Sequence, residues 1–238
     1  MIEHRMDIQL KQEDFDEKGN IRAGALLYFF QEAAAEHADL LGVGFDDMIK
    51  KGRIWIITKL RFSILSAMEP GQAYYVMTYP RQKKSRICPR DYYICSREGK
   101  PMVKGTTLWS IIDYKTRKLE RIDFEYDGEL YEKAAFEDGF PKLHMKAPVE
   151  AGIYTITKED LDVNDHTNNC RYADLVRDTS QIEEIKEFSI QFSKETRLGD
   201  KISLSREPVP GGELICGSRI TKGDEGAGDT IFLAKVSG

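Results

Sequence analysis

Long apolar runs are missing from these 238 residues: none approaches the roughly 18 that a membrane-spanning helix requires. Histidine is scarce, with four in the chain. The four cysteines, Cys88, Cys95, Cys170 and Cys216, include no Cys-x-x-Cys pair. That leaves no spacing for a dedicated zinc site, and the thiols read as reduced. No metal and no cofactor is expected. An excess of positive charge is absent too. The net charge is −5, which offers no basic footprint for nucleic acid. The opening Met1-Ile2-Glu3-His4-Arg5 holds no apolar signal core, so the expected compartment is the cytoplasm. What is present is globular: 41% hydrophobic, 32% charged and 10% aromatic residues. A disordered chain would lack the aromatics to bury. The length is awkward, long for one ordinary domain and short for two large ones.

The strongest helical pattern runs from Arg22 to Leu41, apolar over most of its circumference. Such a helix is expected to be buried on several sides, and Gly42 and Gly44 should stop it. A short strand near Asp7–Leu10 precedes it. Strand patterns follow at Ile54–Phe62, Ala73–Tyr79, Asp91–Ser96 and Met102–Asp113. Residues 122–150 open with acidic residues and then carry Pro141 and Pro148, which reads as a connector. The order then begins again: a short strand at Ile153–Ile156, an amphipathic helix from Asn169, and strands at Phe188–Phe192, Lys201–Arg206, Leu214–Thr221 and Asp229–Val236.

The repetition is visible in residues as well as in element order. Glu13-Asp14-Phe15-Asp16 matches Glu159-Asp160-Leu161-Asp162, an offset of 146 (13 to 159). Leu60–Ile64 matches Phe188–Phe192, with Gly71 falling on Gly199, an offset of 128 (71 to 199). The expected fold is therefore α+β: two units, each a long helix against an antiparallel sheet. Their boundaries are expected at 1–121 and 151–238, with 122–150 as an acidic connector.

The two copies differ in chemistry. Before the first helix the sequence is Asp16-Glu17-Lys18-Gly19-Asn20-Ile21-Arg22-Ala23; before the second it is Asp162-Val163-Asn164-Asp165-His166-Thr167-Asn168-Asn169. Helix capping needs one such Asn or Asp, or two at most. It does not need His166 together with Asn164, Asn168 and Asn169. A helix start offers unpaired N–H groups that can hold an oxyanion, and a histidine there can move a proton near neutral pH. At offset 128, Ala67 and Met68 of the first copy become Glu195 and Thr196 of the second. Glu195 reads either as a solvated residue at a strand end or as a general base. Cys170, one helical turn after His166, is a rival nucleophile or inert packing.

Residues Asp162 to Tyr172 (Asp-x-Asn-x-His-x-Asn-Asn-x-x-Tyr) resemble the signature of acyl-acyl-carrier-protein thioesterases. Ile190–Thr196 is similar to that family's later segment, where a Glu is followed by Cys. In the first copy, Gln31-Glu32-Ala33-Ala34 with His37, Ile54–Thr58, Arg90-Asp91-Tyr92 and Gly105–Trp109 also fit. The resemblance implies a tandem hotdog fold, a sheet wrapped around a long helix in each half. It implies hydrolysis of the thioester between a fatty acyl chain and the carrier protein's phosphopantetheine arm. By matching position, the catalytic network falls on Asp162, Asn164, His166 and Glu195. Thr196 stands where the family has Cys, which argues against a cysteine nucleophile at that position and leaves attack by water or a carboxylate. The first copy would then hold the acyl chain, with Phe29, Phe30, Ala33, Ala34 and Trp55 as wall residues, although any buried core helix would look the same.

Arg81, Lys83, Lys84, Arg86 and Arg90 put five positive charges into ten residues of an acidic chain. They read as a solvated loop or as a docking patch for an acidic acyl carrier protein. The rival functions are an acyl-CoA thioesterase using the same site, a hotdog dehydratase or hydratase, and a non-catalytic acyl-carrier binding module. Both a monomer and a homodimer are compatible with the sequence.

Overall fold

The computed structural model describes residues 2–162, 164–220 and 228–238. The chain divides into two compact units. One holds the residues up to 21 and 28–139; the other holds 22–27 and 140–238.

The first unit contains β1 (His4–Gln9), helix α1 (Ala23–Leu40, less its first turn), the short helix α2 (Phe45–Lys50), β2 (Arg53–Ile64), β3 (Ala73–Pro80), β4 (Cys88–Ser96) and β5 (Pro101–Asp113). Its strands lie in the order β1-β3-β4-β5-β2, each antiparallel to its neighbour. Helix α2 has no counterpart in the sequence-based reading. Burial of α1 is narrower than its composition suggests. Ala23, Leu26, Leu27, Phe30, Ala33, Ala34 and His37 recur at helical spacing on one buried face, while Tyr28 and Leu40 on the other side are exposed. Alanines and a stray leucine tolerate water, so an apolar count overstates burial. Gly42 ends the helix as expected, in the left-handed conformation (φ +67°), its N–H bonded to the carbonyl of Asp39.

Phe30 is fully buried and stacks on Tyr92 with ring centroids 4.5 Å apart. Gly105 on β5 makes room for it, because a Cβ there would stand 2.5 Å from the Phe30 ring. A second cluster joins Met48, Cys88, Ile111 and Ile122 to Trp55, Trp109, Phe124 and Tyr126. Three of those residues come from the start of the expected connector. Ile122, Ala135 and Phe136 are buried, and the Ala135 N–H donates to Asp91 at 2.9 Å. The stretch through residue 139 thus belongs to the first unit. Its acidic residues drew attention from the apolar ones set between them.

The second unit contains β6 (Val149–Thr155), α3 (Asn169–Thr179), β7 (Glu187–Phe192), β8 (Lys201–Val209), β9 (Gly212–Arg219) and β10 (Thr230–Ser237). Its order is β6-β8-β9-β10-β7, again antiparallel throughout. Adding five to each strand number of the first unit gives that order, so the duplication read from residues holds as topology. Of the strand expected at 214–221, Thr221 lies outside the described residues. Glu195 lies beyond the end of β7, in the loop that leads to β8.

Candidate active site

The site is built on a turn that both units share. Asp16 Oδ1 accepts the N–H groups of Lys18 and Asn20 at 2.9 and 2.8 Å. Asp162 Oδ1 accepts those of Asn164 and His166 at 2.8 and 3.2 Å. In each copy the Asp N–H donates back to the carbonyl four residues on, to Asn20 in one and His166 in the other. The bridges Phe15–Ile21 and Leu161–Thr167 close the two turns in the same register. The fourth turn residue takes a positive φ in both, Gly19 at +81° and Asp165 at +59°. Asp tolerates that conformation better than most residues with a side chain. Val163 lies outside the described residues.

This equivalence explains most of the polar residues before α3. Asp162 does what Asp16 does in the copy without the polar set: it organises backbone. Asp165 stands where the turn needs a left-handed residue. Asn168 is the N-cap of α3, its Oδ1 accepting the Cys170 N–H at 2.9 Å. The Arg171 N–H donates to the Asn168 carbonyl at 2.9 Å. The N–H groups of Cys170 and Arg171 are therefore already engaged, and neither is an open oxyanion donor. Asn164 and His166 serve this turn through their backbone groups, and among the described residues their side chains form no hydrogen bond within it.

His166 is brought to Glu195. Its Nε2 lies 3.6 Å from Glu195 Oε2, with 18% of the His and 47% of the Glu side chain exposed. Arg197, which the sequence-based reading missed, donates to the same Nε2 at 3.3 Å. A guanidinium only donates, so Nε2 acts as the acceptor in that contact. Arg219 donates to the Glu195 carbonyl and stands 3.5 Å from Asp200. Asn164 is exposed two residues from His166. An open, water-accessible His–Glu pair flanked by two arginines can take a proton from water and hold negative charge.

The other candidates fall elsewhere. Phe29, Phe30, Ala33 and Ala34 are buried on the inner face of α1, and Phe30 is packed as core. Trp55 is partly buried in the separate aromatic cluster and donates from Nε1 to the Val43 carbonyl at 2.8 Å. Of the basic run, Arg90 cannot meet a partner: it is 5% exposed. The run extends into strand β4, whose pleat turns Arg90 under α1, where Nη1 contacts His37 Nδ1 at 3.0 Å and Thr78 Oγ1 at 3.3 Å. Lys83 is paired with Glu125, and Arg81 lies 3.6 Å from Asp91. Lys84 and Arg86 remain exposed.

Burial first, then the charge of Arg90 and the neighbouring His4, push the His37 pKa down to about 3. The imidazole therefore stays neutral in the folded protein while the unfolded chain protonates near 6.5. Stability contributed by neutral His37 is complete above about pH 6.5 and is lost progressively as pH falls towards 3. By pH 5 the loss should reach about 2 kcal/mol, at about 1.4 kcal/mol per unit. Thermal melts of the His37→Gln variant should show a flatter decline between pH 7 and 5 than the parent; parallel curves would refute it.

Two family models match the chain: the acyl-ACP thioesterase N-terminal domain over residues 2–130 and the acyl-ACP thioesterase C-terminal domain over residues 145–236. The chain is 30% identical over 165 residues to a chloroplastic acyl-acyl-carrier-protein hydrolase of Cuphea viscosissima, covering 62% of this chain and 39% of that protein. It is 27% identical over 217 residues to the chloroplastic palmitoyl-acyl carrier protein thioesterase of Arabidopsis thaliana, covering 82% and 52%. The chain thus spans about half the length of the curated relatives it matches. Among solved structures, an acyl-ACP thioesterase from Bacteroides thetaiotaomicron superposes with a TM-score of 0.87 at 17% identity, covering 99% of this chain and 97% of that one. The 12:0-ACP thioesterase from Umbellularia californica superposes with a TM-score of 0.79 at 19% identity, covering 100% and 97%. At such identities the likeness speaks for the fold, the tandem hotdog that the family resemblance implied.

Proposed function

The chain belongs to the acyl-ACP thioesterase family, and from that premise we propose that it hydrolyses the thioester of a fatty acyl group carried on acyl carrier protein. The observation that carries the reading is the 3.6 Å approach of Glu195 to His166 in the unit that bears the extra polar residues. Glu195 takes a proton from a water molecule. His166 and Asn164 hold that water and polarise the thioester carbonyl, and Arg197 adds positive charge beside the developing oxyanion. The water oxygen bonds to the carbonyl carbon, the C–S bond breaks, and the pantetheine sulfur leaves as a thiolate. A thiol of pKa about 8.5, by analogy with Cys, needs little help from an acid. The proton on Glu195 then returns to the thiolate or to solvent. Asp162 positions Asn164 and His166 through their backbone.

Acyl binding is assigned to the first unit, with Phe29, Ala34 and Trp55 as wall residues and Phe30 and Ala33 as their packing. Carrier docking rests on Lys84 and Arg86, the exposed members of the basic run. The four free cysteines favour a reducing compartment such as the cytoplasm. The protein works as a monomer or a homodimer, since each chain already carries two hotdog units.

The test is thiol release from acyl-acyl carrier protein by the purified full chain, with fatty acid and free carrier thiol formed in equal amounts. The expected kcat/KM on the carrier substrate exceeds that on acyl-CoA of the same chain length. A reversed preference would make the protein an acyl-CoA thioesterase. Binding of the carrier without any thiol release would leave a non-catalytic binding module.

A further inference from the structure

We propose that Tyr172, Thr196 and Thr167 form a hydroxyl clamp that positions Glu195 against His166. The proposal rests on the assignment of those two residues to the reaction. Glu195 lies in an irregular loop, and its side chain is half exposed. His166 comes from another segment, so the register of the pair depends on how that loop is fixed.

The next residue supplies the hold. Thr196 is fully buried, Tyr172 is 2% exposed and Thr167 5%. Thr196 Oγ1 lies 2.8 Å from the Tyr172 hydroxyl and 2.7 Å from Thr167 Oγ1. The Thr196 N–H donates to the Tyr172 oxygen at 3.1 Å. Its carbonyl accepts from the Thr167 N–H at 2.9 Å and from Thr167 Oγ1 at 3.2 Å. One orientation satisfies every hydroxyl: Tyr172 donates to Thr196, Thr196 to Thr167, and Thr167 to the Thr196 carbonyl. The peptide between Glu195 and Thr196 is consequently held at both ends, its N–H by Tyr172 and its carbonyl by Arg219. Thr167 follows His166 directly, so the clamp ties the residues adjoining both members of the pair.

The first copy shows that the fold does not require these hydroxyls. At offset 146, Thr167 and Tyr172 correspond to Ile21 and Leu26; at offset 128, Thr196 corresponds to Met68. Three buried hydroxyls replace three apolar residues only in the copy that carries His166 and Glu195. Buried hydroxyls are costly unless paired, and their pairing brings directional geometry that apolar contacts lack.

The experiment compares Thr196→Val, which keeps the shape and deletes the hydroxyl, with Thr196→Ser, which keeps the hydroxyl, in thiol release from acyl-acyl carrier protein. Thr196→Val is expected to lower kcat about 10- to 100-fold, the scale of a misplacement of about 1 Å, with KM within about twofold of the parent. Thr196→Ser should restore most of the rate. In a Glu195→Gln background, Thr196→Val should cost nothing further, because there is no carboxylate left to position. Tyr172→Phe keeps its ring against Phe192 and Phe232 and gives the same reading if Thr196→Val does not fold. An inactive Glu195→Gln with a fully active Thr196→Val would overturn the clamp alone. An equal loss in both backgrounds would also overturn it, by making the hydroxyl a general structural support. A fully active Glu195→Gln would instead overturn the assignment beneath it.

Discussion

His166→Ala and Glu195→Gln are each expected to lower turnover on acyl-acyl carrier protein at least ~100-fold, the usual scale for a positioned proton-transfer group. Neither should unfold the protein. Asp162 holds the turn through backbone N–H groups, which both variants retain. Glu195 is half exposed, and exposed substitutions normally move stability by no more than about 0.5 kcal/mol. Activity and melting temperature should therefore separate. The double variant should be barely slower than the worse single one, because groups that act as a unit do not lose activity additively. Single-turnover thiol release alongside thermal melts gives both quantities. A near-normal rate in either single variant would remove that residue from the reaction.

Phe30→Ala is expected to do the opposite, destabilising the protein by about 3–5 kcal/mol, the range for deleting a buried aromatic ring. At about 2–4 °C per kcal/mol for a chain of this size, the melting temperature should fall on the order of 10 °C. The ring is fully buried, stacks on Tyr92 and occupies the space that Gly105 leaves open. Tyr92 is in turn bonded to Thr107 at 2.9 Å and accepts from Trp109 Nε1 at 3.3 Å, so the cavity would open inside a connected polar and aromatic network. If Phe30 were instead a free wall of an acyl tunnel, the melt would barely move and the released acids would shift in length. Melting curves and a profile of released acids, measured on one preparation, distinguish these outcomes.

Much of the second unit's candidate site was legible as a difference between two copies. His166 and Asn164 stood out because Asn20 and Lys18 hold the same places without them. Glu195 stood out because Ala67 did. Their meeting at 3.6 Å depended on nothing written locally. Arg197 escaped notice because a charged residue in a loop resembles any solvated one until its neighbour is known. Arg90 misled for the reverse reason. Its charge counted with the loop before it, yet strand β4 carries it under α1, onto His37. The connector misled in a similar way, since its acids are solvated while Ile122, Ala135 and Phe136 between them pack inward.

The sequence alone determined the duplication, the order of the strands and of the two longer helices, and the side-chain chemistry available before α3, because periodicity and repetition are properties of a chain read in one dimension. The tertiary structure decided which polar residues serve the backbone and which distant side chains meet. Asp162, Asp165 and Asn168 are consumed by turn and cap, while His166 and Glu195 face each other from segments almost thirty residues apart, 166 against 195. That distinction follows from where hydrogen-bond donors and acceptors lie in space, and contacts between distant segments exist only once the chain has closed on itself.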